Sequence, residues 1–330
     1  MEINAIEYYL PKNVVNNELL AKEFPEWDAE KITDKIGIKQ RHVVANDETA
    51  LDLAFFASEK VLKSFDKDLI DFILLCTQSP DYYLPTSACI LQNRLDLKTS
   101  IGALDFNLGC SGFIYGLALA KGLIQARIAT NVLLVTAETY SKHIHPKDRA
   151  NRSIFGDGAA ATIISEAALN KIFEFELGTD GSGMNNLIVH NGAFRNKFNS
   201  SEKDKIDESG NLSNNNYLYM NGPEIFNFTI ENVPDLVNKV LVKNSLSLES
   251  IDYVIFHQAN KYLLDYLRKK IKIPIGKFYQ NMENTGNTVS STIPISLKDC
   301  FERNLVKTGD KVLLAGFGVG YSWGATIIQV

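Results

Sequence analysis

The chain has 330 residues, of which 45% are hydrophobic and 22% charged, so its composition is that of a globular protein able to bury a large core. A formal net charge of -5, with no stripe of basic and aromatic residues, excludes a protein that wraps nucleic acid. No segment approaches the roughly 20 apolar residues of a membrane span, and residues 1–17 lack the basic flank and apolar run of a targeting signal; we therefore expect a soluble, cytoplasmic protein.

Runs of apolar and β-branched residues with the length of buried strands recur along the chain. They cover residues 71–78, 130–138, 160–167, 252–258, 311–318 and 325–330. Longer stretches with helical spacing lie between them, including residues 117–128 and 230–246. This alternation predicts an α/β protein whose sheets are largely buried.

The order of these elements occurs twice, which indicates an internal duplication. A strand opening at Asp71 is followed by NVLLVTAE and FGDGAAATII, and a strand opening at Asp252 is followed by KVLLAGFG and YSWGATII. We interpret the two copies as halves, residues 1–170 and 171–330, whose strand ends converge on one site. Because the matching segments are short and apolar, chance similarity is the alternative.

Residues 191–217 are polar, rich in Asn, Ser and Lys, and carry no periodicity. This composition predicts a surface excursion, and the alternative is a mobile flap over a substrate entrance.

Residues 261–277 are strongly basic, with Asp265 as their single acidic residue. The basic residues are Lys261, Arg268, Lys269, Lys270, Lys272 and Lys277. The segment is either a solvated helix face or a surface that binds an acidic carrier or a nucleotide phosphate.

Four cysteines lie far apart without a CxxC pair, which argues against a metal site and against a disulfide framework. They are Cys76, Cys89, Cys110 and Cys300, and we expect reduced thiols. Cys110 follows an apolar run and opens an apolar helix, where the helix dipole lowers a thiol pKa. Glycines on both sides, Gly109 and Gly112, would let a substrate approach the sulfur closely. A structural core cysteine is the alternative.

Three further segments carry candidate site residues, each with a structural alternative. His257 ends a predicted strand, where a sheet presents groups to a ligand, or it is a core histidine. Asn287 lies in a turn-forming run before an apolar helix and is either a site residue or a cap. Gly316, Gly318 and Gly320 either bring backbone N–H groups to a substrate oxygen or form a tight strand connection.

Together these segments resemble the β-ketoacyl-acyl carrier protein synthase III family of thiolase-like condensing enzymes. The central matches are Gly109-Cys110-Ser-Gly-Phe, His257-Gln-Ala-Asn260 and Gly286-Asn287-Thr. Supporting matches are Gly37-Ile38, Arg41-His42, Phe155-Gly-Asp157-Gly-Ala, Met220-Asn-Gly-Pro-Glu224, Gly318-Val-Gly320 and Trp323-Gly. They occur in the right order over essentially the whole chain. The resemblance implies a thiolase fold, with two pseudo-duplicated halves in a layered αβαβα architecture.

The resemblance also implies a mechanism. Cys110 would take an acyl group from acyl-CoA or an acyl carrier protein (ACP), with backbone N–H groups of Cys110 and Val319 as the oxyanion hole. His257 and Asn287 would donate hydrogen bonds to malonyl-ACP, so that its decarboxylation yields a stabilised enolate that attacks the acyl group and forms a 3-oxoacyl-ACP. No metal or other cofactor is implied.

The pairing of a histidine with an asparagine favours a priming enzyme, because the elongating synthases of this group use two histidines. Relatives such as hydroxymethylglutaryl-CoA synthase need a glutamate base some thirty residues before the cysteine. No glutamate occurs between Glu59 and Cys110, so that subfamily is disfavoured.

Several donor-binding positions depart from the family pattern. Lys31 and Lys35 stand where a tryptophan and an arginine typically hold the CoA nucleotide, and Trp27 is nearby but out of register. Arg149 matches the arginine that packs on adenine, whereas Tyr262 replaces a common basic residue. We expect substrate contacts from Lys31, Lys35, Leu84, Arg149, Asn260 and Lys261. The donor is held differently from that of typical relatives, or it arrives on a carrier protein.

Leu84 matches a position that reaches across the family's homodimer into the neighbouring acyl pocket. Its side chain is smaller than the usual phenylalanine, and we hypothesise that it admits longer or branched acyl groups. The resemblance thereby implies a homodimer, which nothing in the composition indicates.

Two other function classes remain open. The first is an acyltransferase or condensing enzyme of secondary metabolism or glycan decoration, which would pass the acyl group of Cys110 to a non-malonyl acceptor. The second is a Cys-His-Asn hydrolase or an idle binding protein. The sequence leaves open the acyl chain, the kind of donor, the pathway and the role of residues 191–217.

Overall fold

The computed structural model describes residues 1–26, 28–206 and 212–330. Elements of the first half alternate between strands and helices. They are β1 (Glu2–Tyr9), β2 (Asn13–Asn16), α1 (Asn17–Glu23), α2 (Ala29–Ile36), β3 (Gln40–Val43), α3 (Ala50–Leu62), β4 (Phe72–Cys76), α4 (Ser87–Arg94), β5 (Gly102–Phe106), α5 (Gly112–Gln125), β6 (Asn131–Glu138), α6 (Arg149–Ile154) and β7 (Gly158–Ser165).

The second half continues the alternation. Its elements are β8 (Glu176–Thr179), β9 (Leu187–Val189), β10 (Lys205–Ile206), β11 (Leu212–Ser213), β12 (Leu218–Met220), α7 (Gly222–Lys243), β13 (Tyr253–Phe256), α8 (Lys261–Ile271), β14 (Phe278–Tyr279), α9 (Thr292–Glu302), β15 (Lys311–Gly318) and β16 (Ser322–Gln329). Among the described residues, none of the helices combines the length and apolarity needed to cross a bilayer.

Both halves build a five-stranded sheet of the same topology. The first has the order β1-β7-β6-β4-β5 and the second the order β8-β16-β15-β13-β14. In each sheet the last three strands run parallel and the first two are antiparallel to their neighbours. The duplication inferred from short apolar segments is therefore present in the strand pairing.

Three hydrophobic clusters stack the elements into five layers. Apolar residues of α3 and α4 pack on the outer face of the first sheet, and those of α7 and α8 pack on the outer face of the second. Helices α5 and α9 lie between the sheets and contact both. The result is the expected αβαβα arrangement.

Central strands are buried along nearly their whole length because helices cover both sheet faces, which explains their continuous apolar runs. The prediction for residues 311–318 coincides with β15, whereas β13 ends at Phe256 and leaves His257 just beyond the strand. Helix α7 begins at Gly222, eight residues before the predicted stretch, because the Asn221 side chain caps it.

The division after residue 170 falls between β7 and β8. Each half thus carries one complete sheet, but the middle helix layer belongs to a core that both halves share. That each half is a domain of its own stays a prediction.

Within residues 191–217, the described part includes a short hairpin of β10 and β11, and residues 207–211 lie outside the described residues. Phe194 and Phe198 are exposed, and the ring of Phe194 lies 5.4 Å from that of Tyr83. The described part lies at the surface, as expected for an excursion, and the hypothesis of a flap stays a prediction.

We expect Gly316→Ala to lower the free energy of unfolding by about 1–3 kcal/mol. A Cβ at this position on β15 would lie 2.6 Å from the carbonyl oxygen of Cys110 and 2.9 Å from Cα of Ser111. Gly122→Ala on α5 is the matched control, because its added Cβ meets nothing within 4 Å. This control should gain up to about 1 kcal/mol from helix propensity. Urea unfolding compares the variants, and equal effects would contradict the tight contact.

Candidate active site

Cys110 lies in the connection between β5 and α5, directly before Ser111, which occupies the N-cap position of α5 without a capping side-chain hydrogen bond. It is only 7% exposed, since it packs into an apolar cluster at the junction of the two sheets. The other buried members of this cluster are Tyr140, Ile144, Phe155, Leu187, Leu218 and Val289. The cysteine therefore lies among buried apolar side chains rather than on the surface.

Glycines near Cys110 make room for neighbouring protein groups. A Cβ on Gly318 would lie 2.8 Å from the sulfur of Cys110, so the end of β15 touches the cysteine itself. A Cβ on Gly109 would lie 2.7 Å from Oε1 of Gln78, and one on Gly112 would lie 2.3 Å from the sulfur of Cys76. The expectation that Gly109 and Gly112 serve substrate approach is wrong, because side chains of the protein already fill that space.

Burial raises the pKa of the Cys110 thiol to about 12, and the carboxyl group of Glu138 adds to the rise. Backbone N–H groups of Cys110 and Val319 oppose the rise by hydrogen bonding to the sulfur. The expected lowering of this pKa at the helix terminus is therefore wrong, since desolvation by burial outweighs the backbone hydrogen bonds to the sulfur. The same two N–H groups are the ones that we predicted as an oxyanion hole.

His257 follows β13 and is almost completely buried. Burial lowers its pKa to about 3, so the imidazole is neutral at physiological pH. Its Nδ1 lies 2.8 Å from Oγ1 of Thr292, and its ring stands edge-on to Phe317 with the centroids 5.9 Å apart. These contacts leave Nε2 as the nitrogen that faces Asn287.

Asn287 is held by three hydrogen bonds. Its backbone N–H donates to the carbonyl of Ile154, its carbonyl accepts from the N–H of Gly156, and its Oδ1 accepts from the N–H of Val289 at 2.9 Å. Its amide nitrogen therefore points toward His257, where Nδ2 and Nε2 are 3.5 Å apart. Two polar nitrogens of buried side chains thus lie side by side.

Val289 joins these groups, although the sequence analysis did not select it. Its N–H holds the Asn287 side chain, its carbonyl accepts from the hydroxyl of Thr292 at 3.0 Å, and its side chain packs in the cluster around Cys110. Its φ of +56° is rare for a β-branched residue and strained. No sequence pattern signals this conformation.

Glu138 is a second buried residue that sequence reasoning missed. It ends β6, and its carboxyl group accepts hydrogen bonds from the N–H of Gln78 and the hydroxyls of Ser79 and Ser290. Burial raises its pKa to about 8 despite these bonds. A carboxylate at the carboxyl end of a buried strand in the first sheet, as His257 lies at the carboxyl end of a strand in the second, is a signal that would have pointed to it.

Comparison with known proteins places the chain in a family. The family model described as 3-oxoacyl-[acyl-carrier-protein (ACP)] synthase III matches residues 104–181, and the model of its C-terminal part matches residues 241–330. The chain is 38% identical to a β-ketoacyl-[acyl-carrier-protein] synthase III of Clostridium perfringens, over 98% of this chain and 97% of the relative. The chain belongs to the β-ketoacyl-[acyl-carrier-protein] synthase III family.

Solved structures of this family confirm the thiolase fold. A crystal structure of 3-oxoacyl-(acyl-carrier-protein) synthase III superposes with a TM-score of 0.97 and 47% identity, covering all of this chain and 99% of the other. A 3-oxoacyl-(acyl-carrier protein) synthase from Burkholderia xenovorans gives a TM-score of 0.92 and 35% identity, covering all of this chain and 93% of the other.

Three of the residues predicted to contact substrate line the same cavity. Lys31, Lys35 and Asn260 line one open cavity of about 580 Å³, to which Tyr262 also contributes. The Asn260 side chain at the same time caps α8, since its Oδ1 accepts from the N–H of Leu263 at 2.9 Å. That these residues contact a substrate stays a prediction.

The other residues predicted to contact substrate do not line this cavity. Arg149 forms an ion pair with Glu26, a residue that lines the cavity of Lys31. Lys261 lines an adjoining cavity of about 270 Å³, and Leu84 is 79% exposed in a surface segment. Trp27 lies outside the described residues.

Within residues 1–26, 28–206 and 212–330, no group of three or more His, Cys, Asp or Glu side chains is arranged to hold a metal ion. The absence of a metal from the reaction stays a prediction.

We expect Glu138→Gln to remove part of the pH dependence of stability. Because the pKa of Glu138 is raised to about 8 in the folded protein, its contribution is complete below its unfolded pKa of 4.5 and is lost as the pH rises through 8. The free energy of unfolding of the wild type should therefore fall between pH 5.5 and 8.5 more steeply than that of the variant.

Glu231→Gln, which alters an exposed carboxylate on α7, is the control and should keep the wild-type slope. Urea unfolding at several pH values measures all three proteins. Parallel slopes for wild type and Glu138→Gln would contradict a buried, protonated Glu138.

Proposed function

We propose that the chain is a β-ketoacyl-[acyl-carrier-protein] synthase III-type condensing enzyme. It transfers an acyl group from a thioester to Cys110 and then joins it to malonyl-ACP with loss of carbon dioxide, giving a 3-oxoacyl-ACP. The observation that carries the proposal is the pair of neutral nitrogens, His257 Nε2 and Asn287 Nδ2, which are buried and lie 3.5 Å apart. Two residues of the cluster around Cys110 hold Asn287, since Phe155 pairs with it in a β-bridge and the N–H of Val289 donates to its Oδ1. Neutral donors stabilise an enolate without consuming a proton.

In the first step the sulfur of Cys110 bonds to the acyl carbon and the donor thiolate leaves. A thiol with a pKa of about 12 is protonated at neutral pH, so its proton has to leave as the new bond forms. This proton ends on the leaving thiol, which balances the exchange. The N–H groups of Cys110 and Val319 already face the sulfur, and they support the oxyanion during transfer.

In the second step the malonyl thioester carbonyl accepts hydrogen bonds from His257 and Asn287. Loss of carbon dioxide leaves the electron pair of the broken bond in an enolate that both donors stabilise. The enolate carbon attacks the acyl carbonyl, and the thiolate of Cys110 leaves. A dry site strengthens both hydrogen bonds because little water competes for the charge.

The tautomer of His257 decides whether it can donate from Nε2. The single hydroxyl hydrogen of Thr292 has two acceptors, Nδ1 of His257 at 2.8 Å and the carbonyl of Val289 at 3.0 Å. When the hydroxyl donates to Nδ1, the imidazole proton is on Nε2 and faces the substrate. The proposed mechanism therefore gives Thr292 a positioning role.

The donor and acceptor in this proposal are thioesters of CoA and of acyl carrier protein. Support for an acidic carrier comes from three exposed lysines that line one cavity beside the larger one and outnumber its two aspartates, Asp34 and Asp265. The lysines are Lys35, Lys261 and Lys269. We propose a homodimer because Tyr83 and Leu84 form part of an exposed apolar segment.

The four cysteines are free, so the reducing cytoplasm is the proposed compartment. The scheme needs no cofactor.

Intact-protein mass after mixing with a panel of acyl-CoA and acyl-ACP donors tests this function. The wild type should gain one acyl group and lose it, with release of carbon dioxide, when malonyl-ACP is added. Cys110→Ala should gain none, whereas Cys89→Ala, which alters an exposed free cysteine, should behave as the wild type. Discharge by water, or by an acceptor other than a malonyl thioester, would support the hydrolase or the acyltransferase instead.

We expect Thr292→Val to slow malonyl decarboxylation by about tenfold or more while acylation of Cys110 continues. Without the hydroxyl, Nδ1 of His257 retains only the carbonyl of Val289, which requires the proton on Nδ1 and removes the donor at Nε2. Thr292→Ser keeps the hydroxyl and should restore the rate. Decarboxylation at the wild-type rate in Thr292→Val would show that this tautomer does not depend on Thr292.

A further inference from the structure

A pair of buried serines links the cysteine loop to the turn between β15 and β16. The hydroxyl oxygens of Ser111 and Ser322 lie 2.6 Å apart, although the two residues are 211 positions apart in the sequence. Ser111 is completely buried, and Ser322 is 3% exposed. The mechanism proposed above assigns neither serine a role.

The two hydroxyl hydrogens of this pair have a defined direction. The hydroxyl of Ser322 also lies 3.0 Å from the carbonyl oxygen of Val319, which can only accept. Both bonds form only when Ser322 donates to Val319 and Ser111 donates to the oxygen of Ser322. A chain of two hydrogen bonds therefore runs from the residue after Cys110 to the backbone of Val319.

Val319 is the residue that this chain holds in place. Its N–H is one of the two that face the sulfur of Cys110. On one side, Gly318 pairs with Ser322 across β15 and β16, and on the other, the Ser322 hydroxyl holds the carbonyl of Val319. The Val319 side chain lies against the cysteine loop, since a Cβ on Gly109 would be 2.7 Å from its Cγ1. Turning the Val319 N–H away from the sulfur would therefore disturb the bond to Ser322.

The second N–H belongs to Cys110, in a segment from the other half of the chain. During acyl transfer the N–H groups of Cys110 and Val319 have to converge on one oxygen. The backbone of β15 already lies against this segment, because a Cβ on Gly316 would be 2.6 Å from the carbonyl oxygen of Cys110. Van der Waals contact sets how closely two segments approach, whereas a hydrogen bond also fixes a direction. The serine pair adds this directional restraint.

We propose, on the basis of the function proposed above, that Ser111 and Ser322 are positioning residues that hold the N–H groups of Cys110 and Val319 at the spacing required to bind the oxyanion of acyl transfer. Neither serine touches the acyl group in this scheme. Both act through the backbone of Val319, and a misplacement of about 1 Å in such a site costs a rate factor of about 100.

The rate of Cys110 acylation tests the proposal, measured as intact-protein mass over time with the acyl-CoA or acyl-ACP that labels the wild type fastest. Ser111→Ala should lower the maximal rate by about tenfold or more. The donor concentration that gives half of this rate should stay unchanged, because the lost stabilisation belongs to the transition state. Ser322→Thr keeps the hydroxyl and should retain the wild-type rate.

Ser322→Ala should slow acylation at least as much as Ser111→Ala, because it also frees the carbonyl of Val319. Combining both substitutions should be no slower than Ser322→Ala alone, since the bond between the serines is already lost. Multiplied effects in the double variant would show that the serines act separately and would overturn the proposal.

Decarboxylation supplies a readout that a general structural defect would also change. Each variant is first acylated to completion and is then mixed with malonyl-ACP. Release of carbon dioxide depends on His257 and Asn287 in the proposed mechanism, so Ser111→Ala should release it at the wild-type rate. Equal slowing of acylation and decarboxylation in Ser111→Ala overturns the positioning role, as does acylation at the wild-type rate.

Ser58→Ala is the matched control. Ser58 is a completely buried serine on α3, and within the described residues its hydroxyl has no hydrogen-bond partner. Its loss should leave acylation and decarboxylation unchanged.

Failure of the proposed function gives a different result from failure of this inference. If neither acyl-CoA nor acyl-ACP labels Cys110 in the wild type, the condensing function and the positioning role fall together. If the wild type is labelled and Ser111→Ala is labelled equally fast, only the role of the serine pair is refuted.

Discussion

Removal of water from the junction between the two sheets is the constraint on which the candidate site depends. Burial keeps the thiol of Cys110 protonated and the imidazole of His257 neutral, and it raises the pKa of Glu138 to about 8. Every polar group placed there then needs a partner. The hydrogen bonds of Asn287 and Thr292 supply such partners, and they also orient the groups proposed to act on substrate.

The duplication explains why these groups meet. Phe72 pairs with Val132 in the first sheet as Tyr253 pairs with Val312 in the second. Counting along the strands from these pairs, Cys76 takes the place of His257, and Glu138 takes the place of Gly318. The same frame therefore holds different groups in its two copies: Gly318 leaves room for Cys110, whereas Glu138 accepts a hydrogen bond from Ser290. The candidate thiol and the candidate imidazole thus come from different copies, Cys110 from the first and His257 from the second.

Expectations based on local sequence failed where residues distant in the sequence pack against the motif. A helix terminus alone would lower the pKa of Cys110, but burial between two sheets reverses the direction. Gly109 and Gly112 suggested space for a substrate, yet Gln78 and Cys76 occupy it. Both errors have one cause, because a local motif carries no information about which distant side chains pack against it.

The sequence by itself determined the α/β alternation, the duplication and the candidate trio of Cys110, His257 and Asn287, because buried strands and site motifs leave patterns within a few neighbouring residues. Only the tertiary structure decided the backbone conformation of Val289 and the hydrogen bond of Tyr140. Val289 adopts a strained φ of +56° in an ordinary-looking turn, and Tyr140 reaches the cysteine loop through Gln78, which lies 62 residues away. Such contacts arise from the packing of remote segments, and no local spacing or propensity encodes them.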